Sequence, residues 1–218
     1  MKTLLFLSKG EKSASTRYRA VQYFPLLSAA GFSVAHADMA GKGLPSALLR
    51  ARKAGVVIVL RKTLPTPLLW LLRRCSRRLV FDFDDAVFSN TDGSHSPTRM
   101  QRFAAMLKAC DLAFAGNAFL ADKARQYNAN VVQLPTSLDV ARYRAEGQKP
   151  SDFFDLVWIG SRSTRKYLDA VIPALREAGH HLPNMRLKVI ADFQLQGVGF
   201  PVINVPWREE SIVSRDVV

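Results

Sequence analysis

The chain has 218 residues, 48% of them hydrophobic, which suffices for one large domain, or one domain and part of a second. Lysine and arginine number 31 against 18 acidic residues, and the formal net charge of +13 favours nucleic acid, anionic lipid or a phosphorylated substrate. Two cysteines, neither in a CxxC pair, exclude a disulfide framework and a cysteine-rich zinc site, and no apolar run reaches the ~18–20 residues that span a bilayer.

Residues 3–8 predict a strand buried on both faces, as in a parallel sheet. The apolar start is too short for a signal peptide, and polar Ser8-Lys9-Gly10-Glu11-Lys12 follows at once. With reduced cysteines, this places the chain in the cytoplasm. A helix is expected over 14–30, kinked or broken by Pro25 and closed by Gly31. Strands over 32–37, 55–60 and 78–83 alternate with helices over 45–53 and 67–75. Helices over 97–108 and 117–127 alternate with strands over 111–115 and 130–134, and Asn117 is the expected N-cap. This alternation argues for a doubly wound, Rossmann-like α/β domain over 1–145. The polar segment 145–151 is the expected linker. A second lobe over 152–218 has strands over 154–159, 186–191 and 201–205 and a helix over 164–178. It is expected to be incomplete, because 215–218 looks like a strand beginning.

Four stretches could carry chemistry. Between the first strand and first helix lie Gly10, Ser13, Thr16, Arg17 and Arg19, hydroxyls and cations suited to a phosphate or a sugar. The spacing is neither GxGxxG nor a Walker sequence. In Phe81-Asp82-Phe83-Asp84-Asp85, three carboxylates within four residues repel one another. They could hold a divalent metal, supply the nucleophile of a phosphatase, order a loop that binds acceptor hydroxyls, or merely cap and pair with arginines. In the second lobe, Gly160, Ser161, Arg162 and Lys166 stand between a strand and a helix. A helix would put Arg162 and Lys166 on one face, where two cations would meet a leaving diphosphate. Finally, Leu68-Leu69-Trp70-Leu71-Leu72 is flanked by Arg73-Arg74 and Arg77-Arg78, a helix able to pack on the sheet or to lie on an anionic membrane. The four histidines lack metal spacing, and no nucleic-acid module is evident.

Five stretches in order resemble glycosyltransferase family 4 and related group 1 glycosyltransferases. They are Ser13-Ala14-Ser15-Thr16-Arg17-Tyr18-Arg19, Phe81-Asp82-Phe83-Asp84-Asp85-Ala86, Ala115-Gly116-Asn117-Ala118-Phe119-Leu120-Ala121, Leu134-Pro135-Thr136-Ser137-Leu138-Asp139 and Trp158-Ile159-Gly160-Ser161. The resemblance implies two Rossmann-like domains in the GT-B arrangement. It implies sugar transfer from a nucleotide-sugar, with retention and without an essential metal or other cofactor, to a glycan or lipid-linked acceptor. It assigns the acceptor to the first lobe, where Arg17 and Arg19 would contact acceptor or phosphate and Asp84 and Asp85, the expected catalytic pair, would order the acceptor loop. The donor falls to the second lobe. Relatives carry an arginine one residue after the second-lobe glycine and a lysine six after it. Lys166 matches, whereas position 161 is serine and Arg162 comes one residue later. The later acidic motif and glycine-rich loop of the family are not reached before Val218, so the resemblance implies a truncated transferase with an incomplete donor site. The alternative is a non-catalytic module that binds a partner chain or an anionic membrane surface, peripheral on the inner membrane.

Overall fold

The computed structural model describes residues 2–11, 13–39, 43–139 and 151–208. Most of the expected linker, and the tail 215–218, lie outside the described residues. The chain divides into two compact units, Met1–Leu138 and Asp139–Val218.

The first unit is a six-stranded parallel sheet: β1 (Thr3–Ser8), β2 (Ser33–Asp38), β3 (Val56–Leu60), β4 (Leu79–Phe83), β5 (Leu112–Ala115) and β6 (Val131–Gln133), ordered β2-β1-β3-β4-β5-β6. The expected helix over 14–30 is three pieces: α1 (Ala14–Arg19), a 3-10 turn (Val21–Tyr23) and α2 (Phe24–Ala29). The helix is broken as expected rather than kinked, and Pro25 sits in the first turn of α2, where its missing N–H costs nothing. Gly31, at φ +85°, closes α2 as expected. Then come α3 (Gly43–Lys53), α4 (Thr66–Cys75), α5 (Pro97–Ala109) and α6 (Ala118–Arg125), each linking the strands on either side of it.

Strand order dictates which face each helix covers. The step from β1 to β2 runs one way along the sheet, and every later step runs the other way. Right-handed crossovers therefore put α1 and α2 on one face and α3 to α6 on the other. The core follows this split. Leu5, Leu7, Val57, Val59, Phe81 and Phe83 pack with Ala47, Leu72, Phe103 and Leu120 from the four-helix side. On the other face Leu4, Phe6, Ile58 and Val80 pack with Ala20, Phe24 and Leu27. Within this unit that second face leaves a trough of about 1060 Å³, floored by Phe6, Ile58, Val80, Leu112 and Phe114. Parallel sheets ordinarily bury both faces, whereas among the described residues of this unit the trough stays open.

The second unit repeats the plan in brief. Strands β7 (Phe154–Ile159), β8 (Met185–Ala191) and β9 (Val202–Pro206) form a parallel sheet ordered β7-β8-β9, and α7 (Arg165–His181) follows β7. Leu168 and Ile172 of α7 bury against Leu187, Val189 and Leu195. Among the described residues no helix is long and apolar enough to cross a membrane.

Candidate functional site

The carboxyl ends of parallel strands are where open α/β sheets bind ligands. In the first unit, that edge holds the expected acceptor residues, already bonded to one another. Ser13 caps α1: its Oγ accepts from the Thr16 backbone N–H and lies 2.7 Å from Thr16 Oγ1. Thr16, fully buried, donates its hydroxyl to Ser8 Oγ at 2.8 Å, and Ser8 Oγ lies 2.8 Å from His36 Nε2. Burial lowers the His36 pKa below the usual histidine value. Gly10 turns the chain at φ +139°, a conformation that favours glycine, and donates its N–H to Ser8 Oγ.

Arg19 corrects the sequence reading. It is 7% exposed and grips Asp82, itself 3% exposed, through both nitrogens of a fork: Nε on Oδ1, and Nη2 at 3.1 Å from Oδ2. Its remaining bonds go to Thr136 Oγ1 at 2.9 Å and the Leu134 carbonyl at 3.0 Å, and Gln22 holds the Ser137 carbonyl at 2.9 Å. Arg19 therefore anchors the segment after β6, at the wall of the first unit's cavity. Thr16 is likewise interior. Arg17 is half-buried beside Tyr18, its guanidinium 5.8 Å from the ring centroid. Desolvation pushes the Asp82 carboxyl up to about 6 despite the guanidinium beside it.

Asp84 and Asp85 leave the sheet just past β4 and meet one cation. Arg61 Nε is 3.2 Å from Asp84 Oδ1, and Arg61 Nη2 pairs with Asp85. Arg61 holds a left-handed backbone, φ +53°, and its N–H donates to the Asp82 carbonyl at 2.7 Å. Gly116 lies against this turn: a Cβ there would sit 2.8 Å from Asp84 Cα. Of the readings open for the acidic stretch, these contacts fit pairing with arginines: Arg19 takes Asp82, and Arg61 takes Asp84 and Asp85. Among the described residues no group of three or more His, Cys, Asp or Glu side chains could hold a metal ion.

The second unit presents a different edge. A cavity of about 480 Å³ is lined by Trp158, Gly160, Ser161, Thr164, Tyr167, Asp192 and Trp207, drawn from the ends of all three strands and the start of α7. Gly160 is required by close approach: an added Cβ would lie 2.2 Å from Trp158 Cη2 and 2.7 Å from Thr164 Oγ1. Thr164 Oγ1 accepts from the Ser161 N–H at 3.0 Å, and no side chain caps the first turn of α7. The helix begins at Arg165, so Arg162 is not on it and shares no helix face with Lys166. Instead the Arg162 N–H donates to Asp192 Oδ1 at 2.8 Å, which fixes the turn. Lys166 is exposed, its Nζ 4.9 Å from the Tyr167 ring centroid. Sequence reasoning missed Tyr167 and Asp192. Asp192 lies 30 residues from Arg162, and only the β7–β8 pairing brings them together.

No family model matches the chain, and no curated protein sequence matches it. Solved structures do. HepE from Anabaena, in complex with UDP, gives a TM-score of 0.58 at 14% identity, over 96% of this chain and 70% of that one. A putative UDP-N-acetylglucosamine 2-epimerase from Listeria monocytogenes gives 0.54 at 13%, again over 96% and 70%. The fold is GT-B-like. In GT-B terms the six-stranded unit matches the expected N-terminal Rossmann-like domain, and the three strands with α7 belong to the second Rossmann-like one. At these identities the likeness speaks for the fold alone.

Proposed function

We propose that the chain binds a nucleotide-sugar at the carboxyl edge of the second unit and belongs to a retaining glycosyltransferase of the group 1, family 4 kind. One observation carries the reading: the cavity beside the Gly160–Thr164 turn, at an uncapped helix start with Arg162, Arg165 and Lys166 nearby. Cations at a helix N-terminus suit a diphosphate, and Trp158, Tyr167 and Trp207 offer apolar faces to a base or a sugar. UDP in the HepE structure agrees with such a ligand. When the glycosidic bond breaks, its electron pair leaves with the diphosphate, and Lys166 would meet that charge, the role the resemblance gives it. The acceptor, a glycan or a lipid-linked sugar, belongs to the first unit, with Arg17, Gly10 and the Arg61-held Asp84 and Asp85 at its edge.

Calorimetry with UDP, GDP and their sugars tests the donor site, and NMR of the anomeric proton in any product tests retention. Micromolar binding of one nucleotide that Lys166→Ala weakens is the expected result. No binding of any nucleotide or nucleotide-sugar at saturating excess would refute the reading.

A further inference from the structure

The outer helices of the first unit hold charge of one sign. Helices α3, α4 and α5 carry three, two and three cationic side chains and no carboxylate. Asp111, at the turn after α5, takes Arg73 at 3.2 Å and Arg78 at 3.5 Å, and Arg50 bonds the His36 carbonyl. Among the described residues, Arg52, Lys53, Arg74, Arg77, Arg102 and Lys108 have no carboxylate within 4.0 Å. Same-sign charge of this density on one layer repels itself in the isolated molecule and is relieved against an anionic surface.

The same layer shows apolar side chains where water should be. Leu69 and Leu72 bury toward the sheet, so helical spacing turns Trp70, Leu71 and Arg74 outward. Trp70 is 61% exposed and Leu71 41%, and Leu49 on the outer side of α3 is 67% exposed. The Arg74 guanidinium lies 5.0 Å from the Trp70 ring centroid, where it holds the indole among cations. Indole beside arginine, with leucine beyond it, is the composition of a headgroup boundary. A nucleic-acid surface would call for several open aromatic faces, whereas Trp70 is the one exposed aromatic on these three helices and Arg74 stands over it.

We propose that the α3–α4–α5 layer docks this protein on an anionic lipid surface, with Trp70, Leu71 and Leu49 in the headgroup region and the unpaired cations over lipid phosphates. The proposal does not depend on the sugar chemistry above. The test is flotation of the full chain with vesicles of phosphatidylcholine, alone or with phosphatidylglycerol, at low and high salt. Binding should require the anionic lipid and fall with salt. Arg74→Gln and Arg77→Gln should each lower partitioning about fivefold. Trp70→Ser with Leu71→Ser should lower it at least about tenfold, with an unchanged circular dichroism spectrum. Brominated lipid should quench tryptophan emission in the wild type and much less in Trp70→Phe, although Trp158 and Trp207 remain. Three results would overturn the proposal: no flotation at low salt, flotation unchanged by the Trp70/Leu71 pair, or quenching that survives in Trp70→Phe. Salt-sensitive binding to a DNA duplex as tight as to the vesicles, equal in the Trp70/Leu71 variant, would show a mere polyanion surface and overturn it as well.

Discussion

The two strand–turn–helix openings, at Ser8–Thr16 and Gly160–Lys166, look alike in sequence and differ in structure. At the first, Ser13 caps α1, Thr16 is sealed under Ser8, and Arg19 is locked on Asp82. At the second, no side chain caps α7, and Lys166 stands exposed. Polar residues after a strand therefore report two different things. In the first unit they are sealed in the interior, whereas in the second Ser161, Arg162 and Thr164 fix the turn and Lys166 stays exposed to solvent. The contrast lies in burial, since a buried charge must be answered from within the protein, whereas an exposed one can wait for a partner.

That contrast can be broken most forcefully at Arg19. Arg19→Met leaves the Asp82 carboxylate buried and unpaired, and should cost about 3–5 kcal/mol in urea unfolding. Replacing both partners by apolar residues should recover much of this loss. If Arg19→Met instead spares stability and abolishes acceptor binding, the assignment of Arg19 to the interior is wrong.

Gly160→Ala comes next. It drives a methyl group into Trp158 and Thr164 and should cost about 1–3 kcal/mol, together with loss of nucleotide binding. A second change, Trp158→Phe, should restore part of the stability by making room. Lys166→Ala sharpens the comparison from the other side. Nucleotide affinity should fall about tenfold or more, as for a charge-assisted hydrogen bond, while the melting temperature stays within error. A clear drop in melting temperature would show that Lys166, too, is structural.

The smallest effect is a pH slope. Burial raises the folded pKa of Asp82 to about 6 from an ordinary value of 3.8, so the folded chain holds a proton that the unfolded chain releases. Between those two values stability must therefore fall as pH rises, then level off above about 6. Unfolding of the wild type minus that of Asp82→Asn isolates the effect. A difference that grows with pH over this window would reverse the sign and contradict the burial argument.

Much of the fold was legible because parallel strands are unbroken apolar runs, such as Val56–Leu60, closed by turn residues. Asn117 capping α6 is another local signal that carried through: its Oδ1 accepts from the Leu120 N–H at 2.9 Å. The site was less legible, because its decisive contacts are not local. Asp82 sits inside an apolar strand, a signal that it needs a partner, but nothing in the sequence names Arg19, 63 residues earlier. Arg162 and Lys166 read as one helix face only if the helix starts early. Its start at Arg165 depends on Thr164 folding back on Ser161, and Arg162 then turns to Asp192 on a neighbouring strand. Short range sets the elements, and strand pairing sets which side chains meet.

The trough on the second face of the large sheet bears on how this protein behaves at high concentration. Its apolar floor would attract the same floor on another molecule, and the net charge of +13 opposes that approach. Added electrolyte shortens the reach of the repulsion to about 3 Å at 1 M and leaves the apolar attraction untouched. Colloidal stability should accordingly decline as salt is raised, so purification and storage favour dilute buffer.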